Sequence, residues 1–323
     1  MSSIDIEVTV IVISYNPDYG KLKRTIRSIL YQTGLSLQII VADDGSRENH
    51  FEQLDELFRM NGFDEYILLS SDCNHGTISN LMRTEEHVKG RYVKIISPGD
   101  YLYDEETLGK WYPYVSNKGI DVSFGNAVYY CYEDQERKLL SEYILPQNAS
   151  LYTEDGNNRK SIILNYFLLK DAIVGALYLV RSEIMFKYLG RLEGIIVYTE
   201  DNMFRLMLMD GIRIVHYDEP VVYYEYGVGI STNKQKKWID ILEGEYQVVD
   251  KMISRSSQWD GRFNGKIKYL MGIKENERDF KLKKYLIFPQ LLKWQIKKRF
   301  FKKYSGTDYS TAFLDKIHGD TGR

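Results

Sequence analysis

The chain has 323 residues, of which 44% are hydrophobic and 27% are charged, a composition typical of one large globular domain or two modest ones. No stretch reaches the roughly 18 apolar residues of a membrane-spanning helix, and the N-terminus does not resemble a signal peptide. The two cysteines, Cys73 and Cys131, fit no metal-binding spacing. We therefore expect buried thiols in a reducing, cytoplasmic compartment and no disulfide.

The net charge of -2 conceals a strongly basic segment near the C-terminus. Residues 281–303 contain nine Lys or Arg and no Asp or Glu, whereas the other residues carry 34 basic and 45 acidic side chains. Apolar and aromatic residues alternate with these cations, as in amphipathic segments that lie on a membrane surface. We expect a membrane partner here. Packing onto the acidic remainder of the protein is the alternative, and nothing else in the chain supports nucleic-acid binding.

The first hundred residues alternate between predicted strands and predicted helices. Short apolar runs rich in Val and Ile predict buried strands, and apolar residues at helical spacing predict amphipathic helices. In chain order, the elements are a strand at 8–16, a helix at 18–33, a strand at 37–46, a helix at 51–60, a strand at 66–70, a helix at 78–88 and a strand at 92–97. Strands joined by helices in this order build a parallel sheet with helices on both faces.

The second half is less regular. Residues 121–132 and 136–145 alternate as in a β-hairpin, and residues 212–226 are interpreted as paired strands. A helix is predicted to open at Thr199, with acidic residues in its first turn. Helical patterns dominate after a predicted boundary near residue 232.

Polar turns end three of the strands predicted in the first half. Asn16 ends the first strand, Asp-Asp-Gly-Ser at 43–46 ends the second, and Ser-Pro-Gly-Asp at 97–100 ends the last. Strand termination alone explains any one of these turns. However, the carboxyl ends of parallel strands meet at one edge of a sheet, and ligands bind there. Three such turns in succession therefore predict a binding site, with the carboxylate of Asp100 at its edge.

Several common site motifs are absent from the sequence. It contains no GxGxxG, no GxxxxGK[ST], no HExxH and no GxSxG, which argues against a classical dinucleotide fold, a P-loop nucleotidase, a zinc hydrolase and a serine hydrolase. The remaining interpretation is a parallel sheet with carboxylates at the ends of its strands and no glycine-rich loop for phosphate. A diphosphate bound there would need another neutralising group, and Mg²⁺ or Mn²⁺ suits one carboxylate plus substrate phosphates.

Four stretches of the chain together resemble the family 2 glycosyltransferases. They are VIVISYNPDYGKLKRTIRSILYQT at 10–33, IIVADDGS at 39–46, NHGTISN…KGRYVKIISPGDYL within 74–102, and TEDNMFR at 199–205. The resemblance implies an α/β protein of the GT-A fold, with a Rossmann-like, mostly parallel central sheet flanked by helices. It implies a catalytic domain at 1–232, divided into a nucleotide-binding part at about 1–104 and an acceptor part at 105–232. A helical C-terminal extension would occupy 233–323.

The resemblance also implies roles for individual residues. The nucleotide-sugar donor would be bound by polar residues after the strands and in the third helix, namely Ser14, Tyr15, Asn16, Asp43, Asp44, Asn80, Ser97 and Gly99. The Asp-x-Asp motif that holds the metal ion in the family lacks its first acid here. Asp100 is then the expected ligand of Mn²⁺ or Mg²⁺.

An acid pair at the start of a predicted helix corresponds to the general base of the family. Asp201 is the expected base, with Glu200 as its neighbour or substitute. Acids in a first helical turn also offset the helix dipole, which alone explains such a pair. Residues 225–232, with two glycines and a Ser-Thr pair, correspond to a loop that closes over the donor in the family, and they equally suit a plain connection.

The predicted function is transfer of a sugar, with inversion, from a nucleotide diphosphate donor, expected to be a UDP-sugar. The acceptor would be a saccharide or lipid-linked saccharide, as in bacterial cell-surface polysaccharide synthesis. The missing first acid keeps a non-catalytic sugar-nucleotide- or saccharide-binding subunit as the alternative. A nucleotidyltransferase is disfavoured because the first strand is not followed by a Gly- and Arg-rich loop. The C-terminal helices would either form a homo-oligomer or fold back on the same chain.

Overall fold

The computed structural model describes residues 5–134, 136–140, 145–156, 158–229, 235–300 and 309–319, with side chains described to residue 296 and again from 309. Within this part of the chain, nine strands form one mixed sheet. They are β1 (Val8–Ser14), β2 (Leu37–Asp43), β3 (Tyr66–Ser70), β4 (Tyr92–Ile96), β5 (Tyr101–Leu102), β6 (Val122–Glu133), β7 (Glu136–Leu139), β8 (Tyr178–Arg181) and β9 (Ile214–Glu225).

Twelve α-helices occupy the described residues. They are α1 (Tyr19–Leu30), α2 (Phe51–Met60), α3 (Thr77–Met82), α4 (Thr107–Asn117), α5 (Arg159–Ile163), α6 (Ser182–Leu189), α7 (Asn202–Asp210), α8 (Lys236–Arg255), α9 (Arg262–Gly272), α10 (Glu277–Ile287), α11 (Gln290–Phe300) and α12 (Ala312–Gly319). Helix α1 illustrates why they form, because the Asp18 carboxylate caps it by accepting the backbone N–H of Lys21 at 2.8 Å. Its buried side chains, among them Leu22, Ile26 and Ile29, recur at helical spacing.

The sheet has the order β3-β2-β1-β4-β8-β6-β9-β5, and β7 pairs with β6. Strands β1 to β4 are all parallel, as predicted from their alternation with helices. Strand β8 is antiparallel to both β4 and β6, whereas β6 and β9 are parallel. The fold is thus the predicted α/β sheet flanked by helices, with its parallel half at the N-terminus and its mixed half built from β5 to β9.

Two local predictions in the second half are wrong. Within residues 212–226, which were predicted to be paired strands, residues 214–225 form the single strand β9. The polar Asp-Glu-Pro sequence does not end this strand, because its pairing with β6 shifts register there and Pro220, which has no N–H, lies opposite Asn126. The helix expected to open at Thr199 begins at Asn202. Residues 199–201 form a turn before it, because the N–H of Thr199 is held by a carboxylate of α8.

The predicted hairpin is formed by β6 and β7, although residues 141–144 of its second segment lie outside the described residues. Both cysteines are free, as expected, but neither is buried as expected: Cys73 is exposed in a polar loop after β3, and Cys131 is half-buried. Among the described residues, no helix is both long and apolar enough to span a bilayer.

Helices α8 to α12 confirm the helical C-terminal region. The predicted domain boundary near 232 and the end of the loop at 225–232 lie outside the described residues, as do residues 301–303 of the basic segment and the side chains of 297–300. Helix α8 packs on α7 through a buried ion pair between Arg205 and Asp250. Asp250 also binds Lys274, in the turn that follows α9, at 2.7 Å.

Candidate active site

The carboxyl ends of β1, β2 and β4 lie side by side, because β1 pairs in parallel with both of the others. Ser14 and Asp43 are register partners, and the Ser14 hydroxyl donates to the Asp43 carboxylate at 3.2 Å. Asp43 is fully buried and also accepts the backbone N–H of Ser46 at 2.9 Å. Asp43 therefore stabilises the turn after β2, and both of its carboxylate oxygens accept hydrogen bonds from the protein.

A glycine is required in this turn. Gly45 has a φ of +77°, a conformation that side chains disfavour, and a Cβ atom there would collide with the backbone of Cys73. The loop after β3 can therefore approach the turn closely. The Asp44 carboxylate joins the two, because Oδ1 accepts the N–H of His75 at 2.9 Å and Oδ2 accepts the N–H of Gly76 at 2.7 Å.

Two residues after β1 are the accessible part of this rim. Tyr15 is 54% exposed. Asn16 adopts a positive φ of 45°, and its side chain accepts the N–H of Arg47 at 3.0 Å. These two residues, rather than the buried acids below them, offer surface to a ligand.

Asn80 lies beneath the rim and not on it. Its side chain is 2% exposed and donates to the carbonyl of Ala42 at 2.9 Å, so it holds α3 against β2. Arg83 donates to the side chain of Asn80 and to the carbonyl of Asp43, so this cation also contributes to the internal scaffold.

The turn after β4 is held by two side chains from other elements. The Thr25 hydroxyl accepts the N–H of Gly99 at 3.1 Å and donates to the carbonyl of Asp100 at 2.9 Å, and Tyr130 donates to the carbonyl of Gly99. Ser97 closes the turn by accepting the N–H of Asp100 at 3.0 Å. Gly99 has a φ of +103°, and a Cβ atom there would collide with the carboxylate of Glu225.

Asp100 is a buried carboxylate in a crowded electrostatic environment. Its side chain is 7% exposed, and Oδ1 accepts the N–H of Glu225 at 3.1 Å. Burial raises the pKa of Asp100 to about 7, against the opposing effects of this hydrogen bond and of the Lys94 ammonium. Glu225 is itself paired with Lys21, whose Nζ lies 2.6 and 2.7 Å from its two carboxylate oxygens.

Lys94 is a fully buried lysine in the middle of β4. Its ammonium donates to the carbonyl of Ile95 at 2.7 Å and to that of Ala176. Burial lowers the pKa of Lys94 to about 7, and Asp100 opposes that effect. Lys94 thereby connects the Asp100 region to residues 175–177, which lie against the acid pair.

The residues around Asp100 can hold a divalent cation only if the substrate supplies further ligands. Among the described residues, no group of three or more His, Cys, Asp or Glu side chains is placed to hold a metal ion. Asp100 offers one carboxylate, with one oxygen engaged by Glu225. Mg²⁺ and Mn²⁺ can be held by one carboxylate when substrate phosphates and waters supply the other ligands. The described residues therefore suit a cation that binds together with a diphosphate, and they do not form a metal site by themselves.

The acid pair lies in the turn before α7. Glu200 and Asp201 are both half-buried, and the Glu200 carboxylate packs on Gly175, where a Cβ atom would come within 2.5 Å of Oε1. Desolvation and the Asp201 charge raise the pKa of Glu200. Desolvation also raises the pKa of Asp201, but hydrogen bonding from Tyr246 and the charge of Arg205 favour its ionised form. Asp201 is therefore the member of the pair that is favoured as the ionised carboxylate and so is free to accept a proton.

Helix α8 contributes residues that sequence reasoning missed. The buried Glu245 carboxylate accepts the backbone N–H groups of residues 197–199, and the Tyr246 hydroxyl donates to Asp201. Nothing local in the sequence marks these two residues. Lys94 did carry a signal, a single lysine in an otherwise apolar strand, and Glu225 is the first residue of the glycine-containing segment at 225–232.

The architecture and its acidic rim define a GT-A-type glycosyltransferase. The profile of glycosyl transferase family 2 matches residues 9–177, more than half of the chain. A glycosyltransferase of Streptococcus pneumoniae serotype 4, GlyA, is 27% identical over 133 residues, which are 41% of this chain and 18% of the relative. The chain therefore spans less than a fifth of that relative.

Solved structures of S. aureus TarS show the same fold. The structure of its residues 1–349 in complex with UDP-GlcNAc has a TM-score of 0.54 at 14% identity, and covers 88% of this chain and 73% of that one. The complex of the same fragment with UDP has a TM-score of 0.50 at 14% identity, covering 85% and 72%. The chain belongs to glycosyl transferase family 2.

Proposed function

We propose that the protein is an inverting glycosyltransferase that moves a sugar from a UDP-sugar to a hydroxyl of a saccharide or lipid-linked saccharide, with Asp201 as the general base. One observation carries the proposal: a half-buried acid pair, in which Asp201 is favoured as the ionised member, is connected through residues 175–177 and Lys94 to the end of β4. The family match ends at residue 177, so the role of Asp201 rests on this geometry.

The mechanism follows from these positions. Asp201 takes the proton of the acceptor hydroxyl, whose oxygen attacks the anomeric carbon while the bond to the nucleoside diphosphate breaks on the opposite face. Tyr15, Asn16 and the turns that Asp43 and Asp44 stabilise would position the nucleotide, and Ser97 and Gly99 would border its diphosphate. Asp100 would hold Mg²⁺ or Mn²⁺, which when bound neutralises charge on the leaving diphosphate.

The UDP and UDP-GlcNAc complexes of TarS support the choice of UDP as the first nucleotide to test. We expect calorimetric titration of UDP into the full chain to show binding with Mn²⁺ and much weaker binding without it. Mn²⁺ titrated alone should not bind, because Asp100 lacks protein partners for a complete site. The Asp100→Ala variant should lose the metal dependence. Equal UDP affinity with and without Mn²⁺ would contradict the metal role of Asp100.

The role of Asp201 is tested separately from donor binding. Asp201→Asn should leave UDP affinity near that of the unchanged protein while turnover falls about 10²-fold or more, the scale of general base catalysis. The alternative, a non-catalytic sugar-nucleotide-binding subunit, predicts UDP binding without turnover in the unchanged protein. Unchanged turnover in Asp201→Asn would remove this residue from the role.

We also propose that the basic C-terminal helices bind an anionic membrane surface in the cytoplasm. Four apolar side chains are at least half-exposed there, namely Leu282, Leu286, Leu292 and Ile296. Four cations of the segment have described side chains, and three of these have other contacts: Lys281 and Lys283 pair within α10, and Lys284 donates to the carbonyl of Leu168. The exposed apolar residues, together with the basic composition of residues 281–303, favour a lipid surface.

Vesicle flotation tests this contact. The full chain should float with vesicles that contain phosphatidylglycerol, and the double variant Leu282→Ser, Leu286→Ser should float less. Ile239→Ser, which changes an apolar residue exposed to 42% on α8, is the matched control and should not differ from the unchanged protein. If all three proteins stay unbound and the unchanged chain sediments as a dimer, the exposed face joins two copies and the membrane proposal fails.

A further inference from the structure

The loop that carries the acid pair is tied to α8 by one buried carboxylate. Glu245 is 9% exposed, and its two oxygens accept the backbone N–H groups of Val197, Tyr198 and Thr199 at 2.9–3.1 Å. Oε2 also accepts the hydroxyl of Thr199 at 2.8 Å. A carboxylate that accepts from three successive N–H groups fixes the backbone directly before the acid pair.

The next residue of α8 reaches the acid pair itself. The Tyr246 hydroxyl donates to Oδ2 of Asp201, and this tyrosine is half-buried between α8 and the acid pair. Arg205, one turn into α7, contacts the ring of Tyr246 and forms a buried ion pair with Asp250 of α8. The carboxylate of Asp201 is thus held by a side chain that lies 45 residues away in the sequence.

We propose that α8 is a positioning element of the catalytic centre: Glu245 fixes the loop at 197–199, and Tyr246 fixes the orientation and ionised form of the Asp201 carboxylate. The inference rests on the proposed role of Asp201 as the base. Neither positioning residue is assigned contact with the donor or acceptor. They act through Asp201 and its loop.

The electrostatic surroundings of Asp201 give the expected direction of the pH effect. The titratable and charged groups that face it come from the turn before α7, from α7, from residues 164–168, from β8 and from α8. They are Glu200, Arg205, Tyr166, Tyr178, Glu245 and Tyr246. The Tyr246 hydroxyl lowers the pKa of Asp201 relative to burial alone. Removal of this hydroxyl should raise that pKa, so the rate would reach its plateau only at higher pH, because the base must be deprotonated.

The Tyr246→Phe variant tests the hydrogen bond. Carboxyl ¹³C NMR titration of the full chain, with Asp201→Asn supplying the assignment, should show a higher pKa for Asp201. UDP release from UDP-GlcNAc should fall about tenfold at pH 7, the size expected for loss of a hydrogen bond to a charged group. The acid limb of the pH–rate profile should move to higher pH, while the affinity for UDP stays unchanged. Tyr188→Phe is the matched control, because Tyr188 donates to Asp210 at the far end of α7 at 2.8 Å.

A second variant keeps the inference testable if Tyr246→Phe does not fold. Glu245→Gln should lower turnover and leave UDP affinity unchanged. Asp171→Asn, which alters another buried carboxylate that accepts backbone N–H groups, should reduce thermal stability without this selective effect. An unchanged pKa of Asp201 and unchanged pH profile in folded Tyr246→Phe would overturn the proposal. Absence of UDP release in the unchanged protein would instead count against the proposed donor, and the NMR titration would still decide the positioning role.

Discussion

Gly175→Ala tests whether the position of the acid pair controls turnover. The added Cβ would lie 2.5 Å from Oε1 of Glu200, and ordinary contact begins near 3.4 Å, so the carboxylate must move by about 0.9 Å. A neighbouring cavity of about 10 Å³, bordered by Gly175 and Glu200, has room for about one water molecule at most, so the carboxylate cannot move far in that direction. Glu200 directly precedes the proposed base Asp201, and misplacement of a reacting group by about 1 Å can cost about 10²-fold in rate.

We therefore expect kcat of Gly175→Ala to fall between about 10- and 100-fold. Affinity for UDP, measured by calorimetry, should change little because the rim after β1 and β2 is untouched. Gly265→Ala is the matched control: a Cβ there meets nothing within 4 Å, and alanine favours the helix by up to about 1 kcal/mol. Full turnover in a folded Gly175→Ala protein would refute the reasoning, since the carboxylate would then tolerate displacement.

Three further changes probe the scaffold around the site. Gly99→Ala should destabilise the protein by about 1–3 kcal/mol in urea unfolding and weaken UDP binding, because its φ is +103° and the Cβ collides with a carboxylate. Asp250→Asn should lower the free energy of unfolding, measured in urea, by about 3–5 kcal/mol, because it leaves the buried Arg205 and the neighbouring Lys274 without their anion. A decrease below about 1 kcal/mol would show that water reaches the ion pair. In the unchanged protein, the pKa of Lys94 is about 7 in the folded state and higher in the unfolded state. Between pH 7 and about 10 the unfolded chain therefore binds one more proton, and the free energy of unfolding rises with pH. Lys94→Met should abolish this rise. If the pH dependence of unfolding is the same in this variant, Lys94 does not titrate as described.

Local patterns predicted much of the N-terminal half. The bounds of α2 and β3 are those expected from the sequence, because each has one clear periodicity and is flanked by turn residues. The parallel pairing of β1 with β2 and β4 followed from their alternation with helices, and it brought the polar strand ends together as predicted. The rim was therefore visible in the sequence.

The rest of the site depends on contacts that no local pattern reports. Strand β9 was misread because a proline after two acids resembles a turn, whereas a register shift against β6 accommodates it. The carboxylates of Asp43 and Asp44 were expected to face the donor, yet their hydrogen bonds to neighbouring loops depend on tertiary packing. Glu245 and Tyr246 lie on an amphipathic helix where polar residues are ordinary, so only the folded structure distinguishes them.

The hydrogen bonds from α8 to the loop at 197–199 limit how this protein can be recombined. A chimera that joins its first 232 residues to the C-terminal region of another family member would retain the nucleotide rim and lose the partner of that loop. Such a chimera should bind UDP and turn over poorly until residues equivalent to Glu245 and Tyr246 are restored. Exchange of acceptor specificity between relatives would then require the loop and its supporting helix to be transferred as one cassette.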